Sequence, residues 1–121
     1  MPHFNSVLEL IGKTPMVKVQ NLDTGLCELY LKLESANPGG SIKDRIGLSM
    51  IEAAERAGHI RPGATLVEGT AGNTGIGLAL VGASMGFRSV IVIPETQSQE
   101  KKDMIRLAGA ELVQVDRKSV V

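Results

Sequence analysis

The order of hydrophobic patterns from residue 42 onward constrains the fold more than any other feature of this chain. Apolar residues recur first at helical spacing and then in short runs typical of strands, and the two patterns keep alternating. SVIVI at 89–93 is nearly all β-branched, which is typical of a parallel strand covered on both faces. The alternation predicts an α/β fold with a parallel, helix-covered sheet. The predicted elements are helix 42–57, strand 65–68, a helix from about Thr74 to Met85, strand 89–93, helix 98–108 and a fourth parallel-type strand at 111–115.

The residues before this alternation follow a different pattern. Residues 5–11 predict a short helix capped by Asn5 or Ser6, and MVKV at 16–19 predicts a short strand. ELYLKLE at 28–34 alternates strictly between apolar and polar residues, which predicts a strand with one buried face.

A glycine-rich turn separates these strands from the first long helix. The segment 37–40 (NPGG) can continue neither a strand nor a helix, so Ser41 is expected to cap helix 42–57, which Gly58 ends. The apolar stripe that predicts this helix consists of Ile42, Ile46, Met50, Ala54 and Ala57.

Composition limits the classes of function. The 121 residues suffice for one domain, and 13 basic against 13 acidic residues, with 2% aromatic residues, offer no surface for nucleic acid or anionic membrane. The single cysteine, Cys27, forms no internal disulfide, and no signal peptide or membrane-length apolar run is present, so a cytoplasmic protein is expected. His3 and His59 lack partners at metal-ligand spacing, and no metal site is predicted.

The first candidate for chemistry is Lys43, in the first turn of helix 42–57 and three positions after the glycine pair Gly39–Gly40. The positive end of the helix dipole favours the neutral amine there, which a Schiff-base lysine needs. The alternative is a solvated lysine beside Asp44 that falls early in a helix by chance.

The second candidate is the loop and helix start EGTAGNTGIG at 68–77. Its glycines and hydroxyls predict a strand-to-helix turn that can hold an anion. It is neither a P-loop nor a strict GxGxxG, but Glu95 lies about 20 residues beyond Gly75, so a dinucleotide site stays open. A purely structural turn with glycine-mediated helix packing explains Gly75, Gly77 and Gly82, but not the gathered Asn and Thr residues.

The two segments together resemble the cysteine synthase and cystathionine β-synthase family of fold-type II pyridoxal-phosphate enzymes. NPGGSIKDR and EGTAGNTGIGLAL carry the resemblance most strongly. IGKTPMVKV near the start, IVIPETQSQEK at 91–101 and LAGAELV at 107–113 fit the family in order and spacing. The resemblance covers residues 6–115.

The resemblance implies pyridoxal 5'-phosphate as cofactor and roles for particular residues. Lys43 would hold the cofactor as a Schiff base and act as the base at the substrate Cα, and Asn73 would hydrogen-bond the phenolic oxygen of the cofactor. The family often has Ser where this chain has Ala71, which affects substrate preference. The residues that would bind the α-carboxylate of the amino-acid substrate are Thr70, Ala71, Gly72, Asn73 and Thr74.

The family reaction is β-replacement on serine or an O-activated serine. Cysteine synthase joins O-acetylserine and sulfide, whereas cystathionine β-synthase joins serine and homocysteine. The absence of a heme-binding N-terminal extension favours cysteine synthase, with cystathionine β-synthase as the alternative. A non-catalytic anion- or nucleotide-binding α/β module is the alternative from another class.

The resemblance also implies an architecture larger than this chain. We expect a truncated three-layer, tryptophan synthase β-like fold, with 1–41 starting the larger domain and 42–115 forming most of the smaller, mobile one. DRKSVV at 116–121 departs from the family and is expected to be a non-native tail. The isolated chain is expected to be inactive, and the full-length parent is expected to be a homodimer.

Overall fold

Two separate sheets organise the chain in the computed structural model, which describes residues 3–116. Apart from Asp116, the expected non-native tail lies outside the described residues. No helix in residues 3–116 combines the length and apolarity needed to cross a membrane. The elements are β1 Met16–Lys18, β2 Tyr30–Lys32, α1 Lys43–Arg56, β3 Thr65–Gly69, α2 Asn73–Ser84, β4 Arg88–Pro94, α3 Gln99–Leu107 and β5 Glu111–Val115, with 3₁₀ helices at Val7–Leu10 and Glu34–Ala36.

The second half of the chain forms the predicted parallel sheet. β4 is the central strand and pairs in parallel with β3 on one side and β5 on the other. Helices α2 and α3 connect these strands in turn, so the predicted α/β class with a parallel sheet is confirmed. The parallel sheet has three strands within the described residues, not four, because β1 and β2 pair antiparallel with each other in a separate sheet.

The core lies between this sheet and its helices. Ile91 and Ile93 of β4 are 0% exposed and pack against Ile76 and Ala79 of α2 and Ile105 of α3. Each fully buried isoleucine contributes about 1.5–3 kcal/mol relative to an exposed one. This cluster therefore fixes α2 and α3 against the central strand of the sheet.

The opposite face of the sheet has no such cover. Val67 is 67% exposed, while Val90 and Val92 are only partly buried. The expectation that strand 89–93 is covered on both faces is therefore wrong within residues 3–116. The reason is that the core residues of α2 and α3 all meet β4 on its Ile91 and Ile93 side.

Helix α1 packs on α2 through small residues rather than through the predicted apolar stripe. A β-carbon at Gly47 would lie 3.1 Å from the carbonyl carbon of Gly77, and one at Gly77 would lie 2.9 Å from the carbonyl oxygen of Lys43. The two backbones thus touch, and Ile51 is buried beside them. The predicted stripe is wrong as the buried face: Ile42, Ile46 and Met50 are all exposed.

The start of α1 differs from the prediction by one residue. Ile42 occupies the cap position, yet the Ser41 hydroxyl still accepts a hydrogen bond from the Lys43 N–H at 3.1 Å. Gly58, with φ +75°, follows the helix end as predicted. The predicted cap at Ser6 is confirmed, since its hydroxyl accepts from the Leu8 N–H.

The antiparallel pair β1–β2 is exposed on both faces. Val17 is 46% and Leu31 51% exposed, although they are directly paired across the two strands. The prediction that 28–34 buries one face is therefore wrong for the described residues: the alternation is present, but nothing within 3–116 packs over it.

A polar network attaches the N-terminal region to α1. Arg45 of α1 forms an ion pair with Glu34 and donates to the carbonyl of Gly12, while Thr14 donates to Glu34 at 2.5 Å. The buried Asn37 side chain accepts from the Gly12 N–H at 2.8 Å. These contacts hold the glycine-rich turn at 37–40 beside the start of α1.

Candidate functional site

The residues that the sequence singles out meet in one cavity. A cavity of about 250 Å³ is lined by Lys43, by the segment 70–74 and by Lys101. The cavity lies where the first turns of three helices converge, at the carboxyl-end side of β3 and β4. In open parallel sheets this is the usual side for ligands.

Lys43 is the first residue of α1, and its side chain is partly buried. The close approach of Gly77 to its carbonyl oxygen holds its backbone against α2. Within residues 3–116 its side-chain nitrogen has neither a hydrogen-bond acceptor nor a carboxylate partner. A primary amine without such partners, facing a cavity, remains available for covalent or proton-transfer chemistry.

The loop that faces Lys43 has a defined backbone. The N–H of the buried Thr70 donates to the carbonyl of Val92 at 3.0 Å, and the Thr70 hydroxyl accepts from the Gly72 N–H at 3.1 Å. Gly72 has φ +154°, a conformation that residues with a β-carbon rarely adopt. These contacts close a tight turn directly before Asn73, where α2 begins.

Several N–H groups of this turn remain unpaired. The N–H groups of Ala71 in the loop and of Asn73 and Thr74 in α2 donate no backbone hydrogen bond within the described residues, as is expected for Asn73 and Thr74 in the first turn of a helix. Such N–H groups, with the positive end of the helix dipole, form a site for an anion. The side chain of Asn73 is exposed and that of Thr74 is partly buried. Both side chains are also free to bind a ligand.

Lys101 completes the cavity and was not among the predicted site residues. Glu100, Asp103 and Arg106 of the same charged helix are exposed, but Lys101 is partly buried. A β-carbon at Gly72 would lie 2.8 Å from Lys101 Cδ and 3.1 Å from its Nζ. Its position follows from the docking of α3 onto the loop, which charge patterning does not report.

Asp44 fixes the glycine-rich turn beside Lys43. Its side chain is 0% exposed, and one carboxylate oxygen accepts from the Gly39 N–H at 2.5 Å. Burial raises the pKa of Asp44, and the Gly39 N–H partly opposes this by favouring the carboxylate. Asp44 thus points away from solvent, whereas Lys43 next to it lines the cavity.

The glycines that suggested a dinucleotide site serve packing. A β-carbon at Gly75 would lie 2.6 Å from the side chains of both Thr70 and Ile91, and Gly77 meets the backbone of α1. In a dinucleotide fingerprint, one glycine instead lets the backbone approach the pyrophosphate. Glu95 is not among the residues that line the cavity.

A second cleft is chemically different. It has a volume of about 150 Å³ and is lined mainly by aliphatic residues of α1, β3 and α2, including Met50, Ile51 and Leu78, with Glu68 as its single charged residue. It contains no amine and no helix N-terminus. The cavity at Lys43 therefore offers the chemistry that the sequence predicted, and the apolar cleft does not.

Residues 7–120 match the family of pyridoxal-phosphate dependent enzymes. The chain belongs to this family. Pyridoxal phosphate is thus the cofactor of the family to which this chain belongs. The predicted relationship to fold-type II pyridoxal-phosphate enzymes is confirmed.

Named relatives agree with this assignment. The chain is 54% identical over 110 residues to cysteine synthase of Staphylococcus aureus (strain Mu50), covering 90% of this chain and 36% of the relative. It is 56% identical over 110 residues to cystathionine β-synthase of Mus musculus, covering 88% of this chain and 20% of the relative. The chain therefore spans about a third or less of the length of these relatives.

A solved structure has the same fold. The crystal structure of an O-ureido-L-serine synthase superposes with a TM-score of 0.88 at 47% identity, covering 95% of this chain and 36% of the solved one. The fold of the described residues is thus the fold of the corresponding third of that enzyme.

Proposed function

We propose that this chain supplies the lysine and the amino-acid-binding loop of a pyridoxal-phosphate enzyme that forms L-cysteine from O-acetylserine and sulfide. The observation that carries the proposal is that Lys43 and the segment 70–74, about 30 residues apart in sequence, line one cavity. A base and an anion site on one cavity suit an amino acid, because the Cα–H that the base would attack adjoins the carboxylate that the anion site would hold.

The residues present fit the cofactor. A Schiff base needs a primary amine that is not committed to an ion pair, and Lys43 meets this condition within the described residues. Lys43 would hold pyridoxal phosphate, and the Asn73 amide would donate to its phenolic oxygen. When bound, the cofactor supplies an electron sink for the carbanion at Cα.

Lys43 would also move the proton. Its amine would take the Cα proton, and β-replacement would exchange the leaving group on Cβ for the sulfur nucleophile. Its fixed position, with its carbonyl against Gly77, limits the directions from which it reaches the substrate.

The loop would orient the substrate through its α-carboxylate. The unpaired N–H groups of Ala71, Asn73 and Thr74 are the donors, and the Thr74 hydroxyl adds another. Thr70 accepts from Gly72 and can still donate its own hydroxyl hydrogen. Ala71 adds no hydroxyl, so at this position only its N–H contributes.

The domain division is proposed on the same basis. The antiparallel pair β1–β2 and the turns around it would begin the larger domain, and residues 42–115, with the parallel sheet, would form most of the smaller one. Two separate sheets support this division.

The test uses a chimaera in which residues 6–115 of this chain replace the matching region of the Staphylococcus aureus cysteine synthase. We expect this chimaera to form cysteine from O-acetylserine and sulfide faster than cystathionine from serine and homocysteine. The reverse order would favour cystathionine β-synthase, whose mouse representative is similarly identical to this chain.

Lys43→Ala in the chimaera is the decisive variant. We expect turnover to fall by more than about a thousandfold, since the proposal assigns both the imine nitrogen and the base to the Lys43 amine. The visible absorption of the bound cofactor should change, while the melting temperature stays near that of the parent chimaera. A variant that retains β-replacement would remove Lys43 from the proposal and leave an anion-binding module.

A further inference from the structure

We propose that Lys101 is a positioning residue for the substrate, acting as the fixed cation that holds the α-carboxylate on the 70–74 loop. This inference rests on the proposed function, because it concerns the same amino-acid site. It adds a charged group from α3 to a site otherwise formed by α1, α2 and the loop between β3 and α2.

The start of α3 fixes the backbone of Lys101. Ser98 caps the helix, and its hydroxyl accepts from the Lys101 N–H at 3.3 Å. From there the side chain crosses Gly72, where a β-carbon would lie 3.1 Å from the Lys101 nitrogen. The absence of a side chain at position 72 is thus what admits Lys101 to the cavity.

Neighbouring contacts attach the same segment to the loop. The Gln97 side-chain amide donates to the carbonyl of Ala71, and the Ser98 N–H donates to the Gln97 side-chain oxygen at 2.8 Å. The Ala71 carbonyl is an acceptor that would repel a carboxylate, and Gln97 occupies it. The loop therefore presents donors, not acceptors, toward Lys101.

The lining of the cavity also favours an anion. Its walls contain two lysines and no carboxylate, and within residues 3–116 neither lysine side chain has an ion-pair partner. A cavity with basic side chains and no acidic one is complementary to a negatively charged ligand. When Lys43 holds the cofactor or serves as a base, Lys101 remains as the basic group for the carboxylate.

Lys102 provides a matched control in the adjacent position. Its side-chain nitrogen donates to the carbonyl of Glu95 at 2.7 Å, and it does not line the cavity. Replacing Lys101 or Lys102 by Met removes the same charge from the same helix. Methionine also keeps an aliphatic stem over Gly72, so Lys101→Met retains that packing.

The experiment uses the 121-residue chain itself, labelled with ¹⁵N, and titrates it with L-serine or with L-serinamide, which has no carboxylate. We expect the amide signals of Ala71, Asn73 and Thr74 to shift with L-serine only. Lys101→Met should raise the Kd for L-serine roughly fivefold. Lys101→Arg should restore binding, and Lys102→Met should leave the Kd unchanged.

The outcomes separate the two proposals. If the loop amide signals respond equally to L-serine in the unsubstituted chain and in Lys101→Met, the role of Lys101 is overturned. The proposed function would still stand. Equal weakening by Lys102→Met would also overturn it, as a general charge effect. If the loop amide signals of the unsubstituted chain do not shift with L-serine, both the role of Lys101 and the proposed function are overturned. Lys101→Gln, a second neutral variant, decides the question if Lys101→Met does not fold.

Discussion

The antiparallel pair β1–β2 and the parallel sheet β3–β4–β5 were both predicted as strands, but they lie in different environments. In β4, Ile91 and Ile93 are 0% exposed beneath α2 and α3. In β1 and β2 every residue is exposed, including the apolar Val17 and Leu31. The comparison shows that a short apolar run or an apolar–polar alternation predicts a strand, while burial depends on which element lies over it.

The two regions are also held by different forces. The parallel-sheet unit is stabilised by aliphatic packing. The N-terminal region is attached to it by the polar network of Glu34, Arg45, Thr14 and Asn37 as well as by the packing of Leu8 and Ile11 on the core. The candidate site belongs mainly to the first region, so changes in its packing and changes in its chemistry should be separable.

The largest difference is expected between truncations of the two sheets. Ile91→Ala should lower the free energy of unfolding by about 2–5 kcal/mol, because it removes a fully buried side chain and leaves a cavity. Leu31→Ala in β2, the matched change, should cost about 0.5 kcal/mol or less, since Leu31 is exposed. Urea denaturation of both variants measures this, and equal losses would show that β2 is covered in solution.

Asn73→Ala tests whether the loop serves chemistry rather than stability. In the chimaera we expect kcat/KM to fall about tenfold to a hundredfold, since one charge-assisted hydrogen bond is worth about 1.5–3 kcal/mol. The melting temperature should hardly change, because Asn73 is exposed. A lower melting temperature with unchanged kinetics would make the loop purely structural.

Gly77→Ala tests the backbone contact between α1 and α2 that holds Lys43 beside the 70–74 loop. Its β-carbon would lie 2.9 Å from the Lys43 carbonyl oxygen, so α1 must move away from α2, at a cost of about 1–3 kcal/mol. Unlike Ile91→Ala, this variant should also weaken cofactor binding in the chimaera. Gly86→Ala is a control for glycine loss, because a β-carbon at Gly86 meets nothing within 4 Å, although its φ of +84° adds local strain.

The smallest effect is expected from the polar network and depends on pH. The Arg45 guanidinium, with the Thr14 hydroxyl, lowers the pKa of Glu34 to about 2 from the ordinary 4.5. Because the folded-state pKa is depressed, the stabilisation by Glu34 is complete above about pH 4.5 and is lost as the pH falls toward 2.

Glu34→Gln isolates this contribution. The variant should melt lower than the parent at pH 6, and the difference should shrink as the pH falls toward 2. Melting curves at several pH values measure it. The burial of Asp44 acts in the opposite direction, since it raises the pKa of Asp44, but it is present in both proteins and cancels in the comparison. A difference independent of pH would contradict the role of the ion pair.

Much of the fold and the site could be predicted from local patterns. The uninterrupted run at 89–93 predicted β4, and Gly58 ended the first long helix close to where the structure ends it. Lys43 and the 70–74 loop were singled out because glycine, hydroxyl and amine groups stood at helix starts. These are local properties, since turn geometry and helix capping involve residues only a few positions apart.

Only the tertiary structure decided the contacts between residues that are far apart in the sequence. Helix α1 was expected to bury its stripe of Ile42, Ile46 and Met50, but it buries Gly47 and Ile51, because backbone contact with Gly77 brings the helices closer than side chains would allow. Lys101 joins Lys43 across the cavity for a similar reason: Gly72 leaves space for it, 29 positions earlier in the sequence. The sequence alone determined which segments become helices, strands and turns, since those preferences are set by neighbouring residues. Which faces meet, and which charges share a cavity, depends on shape complementarity between segments that local patterns do not encode.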